Sequence, residues 1–380
     1  MTIDCADNTV EYLYLDQTEQ AFQGYLDQLE QSGMARYGEV HSFGNALKAA
    51  TYCGNEKTVH TYFSAADGTV RVLVTTGNVS LPPIAKGNTV ANISSNVAML
   101  GLNRENGLSM VFTLEDSSYL IYDGGENSAD ADLLYQYLKE NNRRADDKLV
   151  IAGWFFTHEH TDHYGMFGFF AANYGWEVTL EYIFVNGYSP NSVNPAITTY
   201  VGFLSDQPDG TPAQVKSLSK KFLGDPVTVK VHTGQVISLR NADIQILFTN
   251  EDLTPENAKV ATANDLSTVS MVCIGGKKIL VAGDAVDEAL FVLATRYAGT
   301  DVLQCDILQI PHHGLLGGNS GYPKGGEAFL ALAKPKTVLF PTDDSHFETY
   351  RNYKFNVKAL EFANDSYATA SEVHVFPLAE

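Results

Sequence analysis

The chain begins with strand-like alternation. Glu11-Tyr-Leu-Tyr-Leu-Asp16 alternates polar and apolar positions as a half-buried strand does. From Thr18 to about Gln31, Phe22, Tyr25, Leu26 and Leu29 recur at helical spacing, and Gly33 ends the run. Two further alternating runs, Thr58–Phe63 and Thr69–Thr75, flank Ala66-Asp-Gly68, which is a hairpin signal. Leu81-Pro-Pro83 and Gly87-Asn-Thr then read as a linker. Residues 1–85 are therefore expected to form a small α+β domain, and its pattern predicts packing or recognition without a cluster of reactive groups.

From about residue 92 strand–turn units repeat. Leu108–Leu114 and Tyr119–Asp123 read as a hairpin ending in Gly124-Gly125, followed by a helix at about Ala129–Asn141. Leu149–Phe156 is continuously apolar, as expected of a strand buried on both faces. Thr268–Ile274 and Lys278–Ala282 form a second hairpin pattern around Gly275-Gly276. Strand and helix patterns mix with no repeat at a fixed period. The expected fold class is α/β, layered with sheets inside and helices outside, over residues 92–380.

Length and composition narrow this picture. At roughly one domain per 150 residues, 380 residues predict two or three domains, or one large domain with an appendage. Hydrophobic residues at 44% and charged residues at 18% exclude disorder as a global description. No apolar run approaches the roughly 18 to 20 residues that span a bilayer, and the N-terminus lacks the pattern of a signal peptide. A cytoplasmic protein with no membrane partner is the expectation, with an extracellular one left open if a leader has been removed. The 25 basic and 45 acidic residues give a net charge of −20, and residues 1–85 hold 4 of the basic and 10 of the acidic ones. Acidity spread in this way repels phosphate backbones, so nucleic acid is not an expected partner and a small-molecule substrate is. Cys5, Cys53, Cys273 and Cys305 are far apart, with no C-x-x-C, which favours reduced thiols.

The chemistry collects where buried strands end. Leu149–Phe156 runs into Thr157-His-Glu-His-Thr-Asp-His163, and Lys278–Ala282 into Gly283-Asp284. Asp306–Ile310 runs into Pro311-His-His-Gly314, and Thr337–Phe340 into Pro341-Thr-Asp-Asp-Ser-His346. Strand exits are where rigid scaffolds present functional loops. In an extended segment His158 and His160 point to the same side and can grip one ion, while Glu159 points away. Asp162 and His163, past a turn, can face a second ion about 3.5–4 Å from the first. Asp284 is suited to bridge both. One of His312 and His313 completes the second site, and His312 is favoured because it directly follows the strand and Pro311. His346 is a candidate for contacting substrate or protonating a leaving group, against a plain solvated role. His41, His60, His232 and His374 read as structural.

These residues resemble the signature of the metallo-β-lactamase fold superfamily. Residues 158–163 match its H-x-H-x-D-H, Asp284 in Val-Ala-Gly-Asp its downstream aspartate, Pro-His-His-Gly at 311–314 its terminal histidine, and Asp123-Gly-Gly125 its strand-end Asp–Gly. The I-P-H-H-G form looks most like the branch of the competence-protein hydrolase domain and phosphorylcholine esterase. The resemblance covers about residues 92–380 and implies an αββα sandwich with a binuclear site between its sheets. Zinc is the first expectation for both divalent ions, with manganese or iron as the other candidates. It further implies hydrolysis by a metal-bound hydroxide, with Asp162 and Asp284 in catalysis and His158, His160, Asp162, His163, Asp284 and His312 as ligands; His346 joins the catalytic candidates on its position after the Thr337–Phe340 strand alone. Asp123 would cap Gly124-Gly125 or orient a ligating histidine, and His313 is the alternative ligand. The family commonly has one more histidine before the bridging aspartate. Here the corresponding stretch offers Asn186 and Tyr188 instead, so the first metal is expected to have three protein ligands with water, or to bind weakly. The expected substrate is a small phosphate ester or diester, or another ester-type compound. The alternatives are a non-catalytic metal-containing sensor and a nuclease of the same fold; a flavodiiron-like reductase fits less, because it usually has Glu where His160 stands.

Overall fold

The computed structural model describes residues 1–5, 8–77, 80–84, 93–102, 106–186, 218–254, 262–318 and 321–378. The N-terminal strands are β1 (Thr2–Asp4), β2 (Thr9–Tyr14), β3 (Ala35–Phe43), β4 (Leu47–Gly54), β5 (Lys57–Ser64) and β6 (Thr69–Thr76). They form one antiparallel sheet in the order β1-β2-β6-β5-β4-β3. Helix α1 (Glu19–Gln31) starts where Thr18 caps it, the hydroxyl accepting from Ala21 N–H at 3.2 Å. Period-two alternation divides the sheet's side chains between two cores. Ala50, Val59, Phe63 and Val72 face Phe22, Leu26 and Leu29 of α1. Ala49, Tyr62 and Leu73 face the rest of the protein and join Leu247, Phe248 and Leu253. Strand β3 gives no hydropathy signal because it is a mostly exposed edge strand.

The remaining strands are β7 (Asn96–Met99), β8 (Ser109–Thr113), β9 (Tyr119–Asp123), β10 (Leu149–Phe155), β11 (Val178–Val185), β12 (Val227–Lys230), β13 (Val236–Leu239), β14 (Ala242–Phe248), β15 (Val269–Ile274), β16 (Lys277–Val281), β17 (Ile307–Gln309), β18 (Thr337–Phe340), β19 (Tyr367–Thr369) and β20 (His374–Pro377). They build two sheets, ordered β12-β11-β10-β9-β8-β7-β20 and β13-β14-β15-β16-β17-β18-β19. Between the sheets lies an apolar core containing Met110, Phe112, Phe155, Ile244, Val272 and Val281. Helices α2 (Ser128–Asn141) and α3 (Thr161–Asn173) cover the outside of the first sheet through Leu134, Leu138, Phe167 and Phe170. Helices α4 (Asp287–Arg296), α5 (Gly326–Ala333) and α7 (Lys354–Phe362) cover the second through Leu290, Leu293, Phe329 and Phe355, and the short α6 (Asp344–Tyr350) packs there through Phe347. The result is an αββα sandwich with the N-terminal sheet packed against it.

The parallel pairs place the site. β9, β10 and β11 run parallel, as do β16, β17 and β18, so in each sheet the carboxyl ends emerge together. Asp123, the 157–163 segment, Asp284 and the 311–314 turn leave from these ends. The linker expected at 81–89 lies partly outside the described residues. Within it, Pro82 O accepts from Tyr37 Oη at 2.6 Å and Pro83 O from Ser238 N–H at 3.3 Å. All four cysteines are free thiols. Among the described residues no helix is long and apolar enough to cross a membrane.

Candidate metal centre

The chain leaves β10 extended through His158 and enters α3 at Thr161, with His160 at the N-cap. This turn puts Asp162 in the first turn of the helix, where the exposed N–H groups favour a carboxylate. It also rotates His163 inward, and His163 is fully buried. The turn after β16 is equally tight. Gly283 has φ +54°, and a Cβ there would lie 2.8 Å from the Thr157 Cβ, so only glycine fits between the two strand exits. Asp284 follows, its N–H donating to Ser267 Oγ at 3.1 Å.

Six donor side chains from these turns form two groups that share Asp284. Asp162, His163, Asp284 and His313 make one, and His158, His160 and Asp284 the other; in each, one donor atom per residue lies within 4.8 Å of the rest. His163 Nε2 is 3.1 Å from Asp284 Oδ1 and 3.4 Å from His313 Nε2. His313 Nε2 is 3.2 Å from both Asp162 Oδ2 and Asp284 Oδ2. His158 Nε2 is 3.8 Å from Asp284 Oδ2. Asp123 sets the tautomers from behind. Its Oδ2 accepts from His163 Nδ1 at 2.7 Å and from Thr157 Oγ1 at 2.6 Å, and its Oδ1 accepts from Thr157 N–H at 2.8 Å. With its proton on Asp123, the Thr157 hydroxyl oxygen accepts from His158 Nδ1 at 3.2 Å. His313 Nδ1 donates to Pro341 O at 2.9 Å. His158, His163 and His313 thus each present an Nε2 lone pair inward.

Three expected site residues stand elsewhere. His313, not His312, joins the four-residue group. The turn takes both residues through left-handed backbone, with φ 51° and 55°, and this swings the second imidazole to the carboxylates. His312 Nε2 instead lies 3.1 Å from Asn264 Nδ2. The preference for the residue next to the strand assumed an extended exit, which the paired left-handed residues replace. Asn186 belongs to neither group. Its Oδ1 accepts from Asn250 Nδ2 at 2.5 Å and its Nδ2 donates to Val231 O at 2.6 Å. His346 lies in α6, outside both groups, with Nδ1 3.0 Å from Asp343 Oδ1. Tyr188 lies outside the described residues. Thr157 and Ser267, which support the ligands, gave no signal in the sequence, because their roles depend on contacts between strands.

Several solved structures are similar to this one over part of its length. YhfI, a metallo-β-lactamase fold protein from Bacillus subtilis, is 15% identical over 75% of this chain and 100% of its own, with a TM-score of 0.43. The two seven-stranded sheets with helices on their outer faces are the αββα sandwich that the resemblance in the sequence implies. CmlA, a diiron β-hydroxylase from Streptomyces venezuelae, is 10% identical over 77% of this chain and 55% of its own, with a TM-score of 0.42. A protein of unknown function from Enterococcus faecalis V583 is 12% identical over 73% of this chain and 69% of its own, with a TM-score of 0.32. The sequence matches no family model and no curated protein.

The donor set fits divalent cations. His158 Nε2 is buried without a hydrogen-bond partner, and an orphaned polar atom of this kind is costly unless an ion takes it up. The lone pairs of His163 and His313, facing each other beside two carboxylates, likewise require positive charge. In the metal-free protein protons supply it. Burial opposes charging His163, but Asp284, Asp123 and Asp162 outweigh it and hold its pKa well above the usual range. Burial opposes charging His313 too, yet Asp284 and Asp162 push it up to about 9. Burial also opposes ionisation of Asp284, and His163 and His313 hold its pKa well below the carboxylate range. His158 is pulled down by burial and by His163.

Two expectations follow from this electrostatic balance. A histidine whose folded pKa lies above its unfolded value stabilises the fold fully below that unfolded value and loses this contribution as the pH rises. The stability of the metal-free protein should therefore fall as the pH rises from about 6.5 through about 9, as far as His313 governs it. Bound zinc should remove this dependence, which denaturant titrations with and without zinc at the two pH values will show. Secondly, Asp123→Asn offers one acceptor oxygen where two collect three donors. Metal affinity measured by calorimetry should fall about 10- to 100-fold with the fold retained.

Proposed function

We propose that this chain is a binuclear metal-dependent hydrolase acting on a small phosphate ester or diester, or another ester-type substrate. The observation that carries this reading is the convergence of six ligand-type side chains at the strand exits, with His158 Nε2 buried and otherwise unpartnered. His158, His160 and Asp284 would hold one ion, and Asp162, His163, His313 and Asp284 the other. When bound, two such ions supply a water acidic enough to attack at neutral pH and Lewis acids for the substrate's oxygens.

The protein's own groups do the rest. Asp123, Thr157 and the Pro341 carbonyl keep the Nδ1 protons in place, so the Nε2 atoms stay fixed as donors and reorganise little during a turnover. The Asp162 side chain is 22% exposed where that of Asp284 is 2%, so Asp162 is the carboxylate able to take up the attacking water's proton and pass it to solvent. His346, oriented through Nδ1 by Asp343, is the proposed contact for the leaving group. The diffuse acidity of the chain favours small substrates over long polyanions.

The test is a turnover screen of zinc- and manganese-loaded protein with bis(p-nitrophenyl) phosphate, p-nitrophenyl phosphate, a lactone and a thioester. Hydrolysis of at least one, abolished by a chelator and restored by metal, is expected. Protein that holds its metal yet is inert to all of them would instead support a binding role.

A further inference from the structure

We infer that the two metal positions are unequal: the one formed by Asp162, His163, Asp284 and His313 fills first and tightly, while the one formed by His158, His160 and Asp284 is the exchangeable position that meets substrate. This rests on the two-metal reading above. Zinc sites closed by four protein ligands are typically structural, and sites with three keep a coordination position open for water or substrate. Here the count divides in that way, four donors against three with Asp284 shared.

The support behind the ligands is equally uneven. In the four-donor group His163 is held by the Asp123 carboxylate and His313 by the Pro341 carbonyl, and both imidazoles are buried. In the three-donor group His158 has the neutral Thr157 hydroxyl, at 3.2 Å, behind it in place of a carboxylate or a carbonyl. Weaker support means more motion to quench on binding, and outer partners of this kind carry about 10- to 100-fold in metal affinity.

Asn186, on the strand exit next to that of His158, does not supply a fourth donor. β10 and β11 pair in parallel with Phe155 opposite Phe184, and continuing that register sets Asn186 beside Thr157, the neighbour of His158. Both polar atoms of Asn186 are engaged, by Asn250 and by Val231 O. Asn250 opens the turn Asn250–Leu253, which Arg71 of the N-terminal sheet grips through the carbonyls of Glu251 and Asp252. The N-terminal sheet thereby helps to hold Asn186 in place. Among the described residues no other donor joins His158, His160 and Asp284, because His312 is turned to Asn264.

The experiment is a titration of the metal-free protein with zinc by calorimetry and with cobalt by absorption spectroscopy. Two phases of one equivalent each are expected, the first at least about tenfold tighter. A competing chelator should strip one equivalent well before the other. His160→Ala should remove the weak phase alone, His313→Ala the tight one, and Asn186→Ala should leave both within about twofold. Two equal equivalents, loss of the tight phase in His160→Ala, or loss of the weak phase in Asn186→Ala would each overturn the inference. Because the readout is binding, two-phase uptake by a protein inert to every ester probe would sink the hydrolase reading and leave this one standing.

Discussion

Asp284→Ala is expected to abolish hydrolysis and strip metal from both positions. Asp284 is the one side chain common to the two donor groups, and without it they keep three and two donors. It is also the strongest attraction on the charged forms of His163 and His313, so the electrostatic centre of the cluster disappears with it. The loss of activity should be at least about 10³-fold, the scale of deleting a principal stabiliser of transition-state charge. Metal content by elemental analysis should fall in parallel. His374→Ala provides the control: its imidazole lies in β20, 3.9 Å from Glu372 and outside both groups, and neither quantity should change. Equal metal loss in the two variants would mean that the ligand set is wrong.

The second large effect is on stability and lies away from the metals. Arg71 sits at the contact between the N-terminal sheet and the sandwich, 6% exposed, and ion-pairs with the fully buried Glu11. It also donates to the carbonyls of Glu251 (3.1 Å), Asp252 (3.3 Å) and Thr254 (2.9 Å) and to Thr254 Oγ1 (3.0 Å). Arg71→Ala would leave Glu11 as an uncompensated buried charge and several acceptors unsatisfied. Breaking a buried pair in this way costs about 3–5 kcal/mol. Burial already pushes the Glu11 pKa up against the pull of Arg71, so the variant should take up a proton there and its deficit should shrink as the pH is lowered. Denaturant unfolding across pH will measure this. A loss under about 1 kcal/mol, as for an exposed pair, would mean that the apolar contacts of Ala49, Tyr62 and Leu73 hold the sheet by themselves.

The fold was legible where one local rule decided it. The continuously apolar Leu149–Val-Ile-Ala-Gly-Trp-Phe155 could only be a doubly covered strand, and all of it is buried. The two hairpins announced themselves through alternation and glycine turns. At the centre, the crowding of His158, His160, Asp162 and His163 into six positions pointed to metal because no other role needs that density of ligand types. What could not be read depended on long-range geometry. Choosing between His312 and His313 requires two successive left-handed residues, which neither residue type announces. The part played by Arg71 requires β6 to lie against a turn some 180 residues later in the chain. His60 and His232 looked structural and do stack, with ring centroids 5.5 Å apart, but only the folded chain shows that they join the two sheet systems.

The central claim concerns where cations sit. Anomalous scattering at the zinc edge, from crystals of the full chain grown with zinc, tests it most directly. The account predicts two peaks at the carboxyl ends of β10 and β16, one touching His158, His160 and Asp284, the other Asp162, His163, Asp284 and His313. Crystals soaked in zinc that show no peak there, or that place the metal on His312 or Asn186 instead, would contradict it.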